Sequence, residues 1–105
     1  MGLFSSLFGK KDATQLAAVI AAGAFLVDVR TPEEFLAGSV KGAVNIPLDQ
    51  LQGRLAAFKN KNAIVVFCRS GGRSSMAKRL LTQNGFDNVI NGGSWQQVNR
   101  IRSQK

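Results

Sequence analysis

The sequence predicts a single α/β domain with a mainly parallel β-sheet and helices on both faces of that sheet. Its 105 residues match the usual size of one domain. Short apolar runs alternate along the chain with segments of helical periodicity, which is typical of parallel sheets covered by helices. The composition, 45% hydrophobic and 19% charged, argues against a disordered chain. No apolar run approaches the roughly 20 residues of a membrane span.

The N-terminal segment, residues 1–11, is predicted to lie outside the domain, which is expected to span residues 12–101. Four apolar side chains in this segment fall at helical spacing before two lysines: Leu3, Phe4, Leu7 and Phe8. One interpretation is weak contact with a membrane surface. The interpretation that we favour is an arm that is docked on the domain or unstructured. Residues 102–105 are predicted to form a basic C-terminal tail.

The first half of the domain is predicted to contain helix, strand, helix and strand. Asp12 is a suitable N-cap for a helix that ends near Gly23. The continuous apolar run at residues 25–30 predicts a strand that is covered on both faces. Thr31 is a suitable N-cap for the next helix, since a proline and two acidic residues follow it. Residues 43–46 predict a short strand, which ends at a proline.

The second half of the domain repeats this alternation. Residues 49–58 predict a helix, and residues 63–67 predict the clearest strand of the chain, because three of their five apolar residues are β-branched. Residues 74–84 predict a helix that turns Met76, Leu80 and Leu81 inward and stops at a glycine. Residues 88–90 predict a strand. A final helical stretch carries three apolar residues: Trp95, Val98 and Ile101.

The residue types that are scarce in this chain exclude several chemistries. It has one cysteine and no histidine. An internal disulfide framework is therefore excluded, as are Cys-His and Ser-His catalysis within one chain. A zinc site of the usual ligands is also excluded, and no cofactor is expected. Without disulfides and without a recognisable signal peptide, the sequence predicts a protein of the reducing cytosol.

The net charge of +8 would attract nucleic acid, anionic lipid or small anions. Most of these charges are interpreted as a solvated surface, and no nucleic-acid partner is predicted. Arg69 and Arg73 are treated separately, because they flank a glycine pair directly after the cysteine.

The loop after the clearest strand is the candidate site. Its residues are Cys68, Arg69, Ser70, Gly71, Gly72, Arg73 and Ser74. In open α/β sheets, ligands bind beyond the carboxyl ends of the strands, and Cys68 stands at such an end. The two glycines allow the backbone to curl its N–H groups inward into an anion-binding nest. The helix N-terminus and the two arginines add positive charge, which should lower the pKa of the thiol.

A lone cysteine after an apolar strand is more often an inert buried side chain than a nucleophile. The paired glycines and arginines reverse that preference here, because a plain connection would not need them. A phosphate-binding loop without covalent chemistry is the other alternative. The Walker pattern that would support it is absent.

Together with this loop, two further segments make the sequence resemble the rhodanese-like domains. They are residues 28–35, DVRTPEEF, and residues 42–48, GAVNIPL; a glycine pair at 92–93 completes the pattern. The resemblance covers roughly residues 15–98. It implies a three-layer sulfurtransferase fold with a five-stranded, mainly parallel sheet.

The resemblance also implies roles for individual residues. Cys68 matches the catalytic cysteine, which cycles between thiolate and persulfide. Residues 69–73 match the loop that surrounds the transferred sulfur. Asp28 and Arg30 match residues that we interpret as structural support for the loop region. Many relatives carry a histidine at the position of Ser39, a departure that should matter little to the chemistry.

Cysteine phosphatases have related loops, so phosphate is the alternative cargo. Their pattern resembles C-x5-R, whereas Arg73 lies five positions after Cys68 in this chain, which makes the pattern C-x4-R. A shorter loop encloses a smaller cradle, which suits a single sulfur atom better than a tetrahedral phosphate.

The predicted function is therefore transfer of sulfur from a small anionic donor such as thiosulfate to a thiophilic acceptor. The acceptor would be cyanide, a thiol or a protein cysteine, and the intermediate a Cys68 persulfide. A non-catalytic interaction or regulatory module and a small cysteine phosphatase rank lower. We expect a monomer or a weak dimer.

Overall fold

The computed structural model describes residues 10–104. In chain order its elements are α1 (Lys10–Ala21), β1 (Phe25–Asp28), α2 (Pro32–Ala37), β2 (Val44–Asn45), a 3-10 helical segment (Leu48–Phe58), β3 (Ile64–Cys68), α3 (Gly72–Gln83), β4 (Val89–Ser94) and α4 (Trp95–Ser103). All strand pairs are parallel, and the order across the sheet is β2-β1-β3-β4. None of the helices in this range has the length and apolar content needed to cross a membrane.

The central strand β3 separates two apolar cores. Ile64, Val66 and Cys68 face the core that contains residues of α3 and of the 3-10 segment. Val65 and Phe67 face the opposite core, which α1 and α4 close. Successive side chains of a strand point to opposite faces, so this continuously apolar strand fills both cores at once. The predicted α/β fold, a parallel sheet with helices on both faces, is confirmed.

The sheet has four strands among the described residues, so the five-stranded sheet implied by the resemblance is wrong for this part of the chain. The segment that precedes β1 is helical, as predicted. Its sequence is rich in alanine, which favours helix over strand. The residue patterns alone predicted four strands, and each of them is present.

Helix boundaries and faces differ in part from the predictions. The predicted helix at residues 49–58 is a 3-10 helix with a break at Arg54. α3 begins at Gly72, two residues before the predicted start. Met76, which was predicted to point inward, is 60% exposed, whereas Leu81 is fully buried as predicted, together with Ala77. Leu80 is partly buried against the same core, so Met76 alone of the three predicted residues lies outside the packed face.

The predicted domain limits fall inside helices, since α1 begins at Lys10 and α4 ends at Ser103. The predictions for residues 1–9, including membrane contact, lie outside the described residues.

β4 is longer than predicted and contains a bulge. It continues through both glycines to Ser94, because its backbone stays paired with β3 up to Cys68. The pairing register passes from Asn91, opposite Val66, to Gly93, opposite Phe67, so Gly92 is the extra residue. Bulges of this kind redirect side chains beside functional sites.

The bulge residue Gly92 provides a test of this packing. A Cβ atom there would lie 2.8 Å from Val98 Cγ2 and 2.9 Å from Val65 Cγ1. Gly92→Ala should therefore lower the free energy of unfolding by about 1–3 kcal/mol, as overpacking does, measured by urea denaturation. Gly53→Ala is the matched control, because a Cβ at Gly53 meets no atom within 4 Å. Equal losses in the two variants would contradict the proposed packing.

Candidate active site

Cys68 is the last residue of β3 and lies at the carboxyl edge of the sheet. Its neighbour β1 ends at Asp28, which pairs in register with Phe67. Within the sheet, β2 lies on one side of β1, and the next strand, β3, lies on the other side of β1. Such a change of direction opens a crevice at the carboxyl ends of the two strands, which is where ligands bind in open α/β sheets.

The backbone of the loop turns toward the sulfur. The Gly71 amide donates a hydrogen bond to Cys68 Sγ at 3.0 Å, and the Ser74 amide lies 3.4 Å from the same atom. Gly71 has a φ of 101°, a left-handed conformation that glycine adopts without strain. Gly72 begins α3, so the amides that face the sulfur belong to a loop and a helix N-terminus. This arrangement suits a negative charge on the sulfur.

The pKa of the Cys68 thiol results from two opposing effects. The residue is 1% exposed, and burial raises the pKa because it disfavours the thiolate. Hydrogen bonds from the Ser74 hydroxyl and from the amides of Ser74, Ser70 and Gly71 lower it. Together these bonds outweigh burial, so the pKa lies below that of an ordinary cysteine. The thiolate, which is the reactive form, is favoured.

Asn91 is a site residue that sequence reasoning missed. The Ser74 hydroxyl lies 2.7 Å from Asn91 Oδ1, 3.1 Å from the Gly71 carbonyl and 3.5 Å from Cys68 Sγ. A hydroxyl has a single hydrogen, so it can donate fully to only one of these acceptors at a time. The Gly93 amide holds Asn91 Oδ1 in place at 2.9 Å. The signal in the sequence was a polar residue directly before the glycine pair.

Arg73, which the sequence predicts to bind the anionic donor together with Arg69, forms an ion pair with Glu34. Its Nη1 lies 2.7 Å from Glu34 Oε1, and its Nη2 lies 3.1 Å from Glu34 Oε2. The hydrogen bonds from Arg73 are the main reason that the pKa of Glu34 falls to about 2. Sequence reasoning treated Glu34 only as a residue of the first helical turn. Its partner lies 39 positions away, which no local pattern shows.

Arg69 is exposed and has no ion pair or side-chain hydrogen bond with the described residues. It is therefore the cation of the loop that is available to an incoming anion. Ser70 is also exposed, and its backbone amide contributes to the environment of the thiol.

Asp28 and Arg30 form a buried ion pair next to the site. Arg30 Nη2 lies 2.7 Å from Asp28 Oδ2, and the side chains are 5% and 0% exposed. Arg30 also donates to the Gly38 carbonyl at 2.6 Å, and its guanidinium lies 5.1 Å from the centre of the Trp95 ring. The Ser39 hydroxyl donates to Asp28 Oδ2 at 2.6 Å. The side chains of this pair therefore bind the segment that follows α2, through the Gly38 carbonyl and the Ser39 hydroxyl. The Ser39 hydroxyl adds a donor to the Asp28 carboxylate.

Among the side chains that the structure describes, no group of three or more histidine, cysteine, aspartate or glutamate residues is arranged to hold a metal ion.

The family of the chain follows from comparison with known proteins. Residues 12–99 match the rhodanese-like domain family. The chain belongs to this family. The resemblance seen in the loop and in residues 28–35 and 42–48 is therefore confirmed. The prediction that the protein is a rhodanese-type enzyme is confirmed as well.

Several named relatives are similar over most of the domain. The thiosulfate sulfurtransferase PspE of Escherichia coli (strain K12) is 39% identical over 74 residues, which are 69% of this chain and 71% of the relative. A sulfurtransferase of Allochromatium vinosum is 36% identical over 66 residues, or 63% of this chain and 62% of the relative. The structure of the human single-domain sulfurtransferase TSTD1 is 31% identical, with a TM-score of 0.70 over 88% of this chain and 94% of the human one.

The Ser74 hydroxyl provides a test of the thiolate environment. Because its hydrogen bond lowers the pKa of Cys68, Ser74→Ala should raise that pKa. The pKa can be read from the pH dependence of the thiolate absorbance. Ser75→Ala is the control, because Ser75 is the exposed neighbour. A pKa that is unchanged or lower in Ser74→Ala would show that the hydroxyl does not stabilise the thiolate.

Proposed function

We propose that this protein is a sulfurtransferase that takes sulfur from a small anionic donor such as thiosulfate and carries it as a Cys68 persulfide. The observation that supports this most directly is the convergence of the Gly71 and Ser74 amides on Cys68 Sγ, at 3.0 and 3.4 Å. The three relatives described above are all named sulfurtransferases, one of them for thiosulfate. A related Escherichia coli rhodanese, 32% identical with a TM-score of 0.66, was solved with anions.

In the first half-reaction, the Cys68 thiolate attacks the outer sulfur of thiosulfate. A new sulfur–sulfur bond forms to Cys68, and the sulfur–sulfur bond of thiosulfate breaks. Its electron pair leaves with sulfite. Arg69 attracts the donor, and the loop amides that hold Sγ also stabilise the negative outer sulfur of the persulfide.

In the second half-reaction, a nucleophilic acceptor attacks the outer sulfur of the persulfide. The bond to Cys68 breaks, and its electron pair returns to Cys68 as the thiolate. The hydrogen bonds that lower the pKa of Cys68 make this thiolate a better leaving group. Cyanide can act as acceptor in the test tube, and a thiol or a protein cysteine in the cell. Neither step needs a bound cofactor, and both suit a monomer, or a weak dimer, in a reducing compartment such as the cytosol.

The two lower-ranked functions have less support. A phosphatase needs a carboxyl group that is free to protonate the leaving alkoxide. Glu34 and Asp28, the carboxylates whose charges act on Arg73, are both engaged in ion pairs. A purely non-catalytic module would not need a cysteine with a lowered pKa and two backbone amides directed at its sulfur.

Intact-mass measurement tests the persulfide. Incubation with thiosulfate should add the mass of one sulfur atom to the wild-type protein, and cyanide should remove it again. Cys68→Ala should gain no mass and should form no thiocyanate, because the chain has no other cysteine. The Ser75→Ala variant should load like the wild type. Sulfur transfer at an equal rate by Cys68→Ala would refute the mechanism.

Binding of the anionic donor should depend on Arg69, the loop arginine that is not part of the ion pair with Glu34. Arg69→Ala is expected to raise the KM for thiosulfate about tenfold, as loss of an electrostatic contact worth roughly 1.4 kcal/mol would, with a smaller change in kcat. Lys59→Ala removes the same charge from the exposed segment before β3, at the opposite edge of the sheet. It should leave the KM nearly unchanged. Equal effects of the two variants would assign the binding to net charge rather than to the loop.

A further inference from the structure

The ion pair between Arg73 and Glu34 joins the two helix N-termini at the site. Arg73 lies in the first turn of α3, directly before Ser74, whose amide and hydroxyl reach Cys68 Sγ. Glu34 lies in the first turn of α2. The side chains are 35% and 30% exposed, so the pair lies at the rim of the site, where an incoming molecule can reach it.

Glu34 is held by more than Arg73. The Thr31 amide and the Thr31 hydroxyl each donate to Glu34 Oε1 at 3.1 Å, and the Thr31 hydroxyl accepts a hydrogen bond from the Glu34 amide at 3.3 Å. This reciprocal arrangement is a capping box at the start of α2. The helix cap thus fixes the carboxylate in position before Arg73 binds it. A preorganised carboxylate is a stronger partner than a flexible surface side chain, which must be ordered first.

We propose that Glu34 is a specificity-determining residue, which limits how strongly the Cys68 site binds negatively charged donors by occupying the Arg73 guanidinium. The inference deepens the function proposed above and rests on it for the identity of the natural donor. The two charges of the pair largely cancel, so Arg69 supplies most of the positive charge that an anion meets. A donor that requires Arg73 must displace a carboxylate that the helix cap holds in place.

The proposal concerns the charge of the donor and can be tested without sulfur transfer. Iodoacetate and iodoacetamide are nearly the same size, but only the first carries a negative charge. In each reaction the Cys68 thiolate attacks the carbon that bears iodine, a carbon–sulfur bond forms, and iodide leaves. The single cysteine of the chain makes both reactions specific for this site. The ratio of the two rate constants cancels changes in the pKa or the exposure of the thiol.

The test variant is Glu34→Gln, which removes the charge and keeps the cap, because glutamine also serves at this position of a capping box. The ratio of the iodoacetate to the iodoacetamide rate constant should rise roughly fivefold, the order expected for one unit charge several ångströms away in water. Glu33→Gln is the matched control. It removes the same charge from the same helical turn, where Glu33 is exposed and forms no ion pair with the part of the chain that the structure describes.

Two results would overturn the proposal: an unchanged or lower ratio in Glu34→Gln, or an equal rise in Glu33→Gln. In a second measurement, Glu34→Gln should lower the KM for thiosulfate severalfold with little change in kcat, whereas Glu33→Gln should not. A KM for thiosulfate that rises in Glu34→Gln would likewise overturn it. If no variant is loaded by thiosulfate while the alkylation ratio still rises, the proposed donor is wrong and the role of Glu34 stands.

Discussion

Burial of β3 on both faces removes all five of its side chains from water. Its backbone groups must then be satisfied by hydrogen bonds with neighbouring strands, and parallel pairing with β1 and β4 provides them. This constraint determines where the strand ends. Cys68 is the last paired residue, so the loop that follows must turn over the carboxyl edge of the sheet. The loop amides, the start of α3 and the bulge of β4 are all placed around the sulfur by that geometry.

The electrostatics of the site depend more on neutral groups than on the arginines. Hydrogen bonds from backbone amides and a hydroxyl lower the pKa of Cys68. Such groups hold a thiolate without bringing a mobile cation into a buried space, and they keep their orientation when the charge appears. Arg73 forms an ion pair with Glu34, and the Arg69 side chain is exposed at the surface. In the proposed function, stabilisation of the sulfur and attraction of the donor are therefore tasks of different groups.

The buried ion pair of Asp28 and Arg30 connects segments beside the site. Removing two charges from water is costly unless their remaining hydrogen-bonding groups are satisfied. The Ser39 hydroxyl and the Gly38 carbonyl satisfy part of this need, and Asn45 binds the carbonyls of both Asp28 and Arg30. The pair therefore joins the end of β1 to the connection between α2 and β2. No hydrogen bond joins this pair to the Cys68 loop among the described residues, but the charge of Asp28 acts on Arg73 of that loop.

The sequence by itself determined the fold class, the four strands of the described chain and the position of Cys68 at a strand end. These features depend on local patterns: apolar runs, capping residues and glycines act over a few positions, and each leaves a mark in the order of the residues. The partners of the site residues were decided by the tertiary structure. Glu34 meets Arg73 across 39 positions, and the Gly92 bulge brings Asn91 to Ser74 across 17. These contacts arise only when parallel strands bring distant segments to one edge of the sheet, and no periodicity in the chain encodes which side chains meet there.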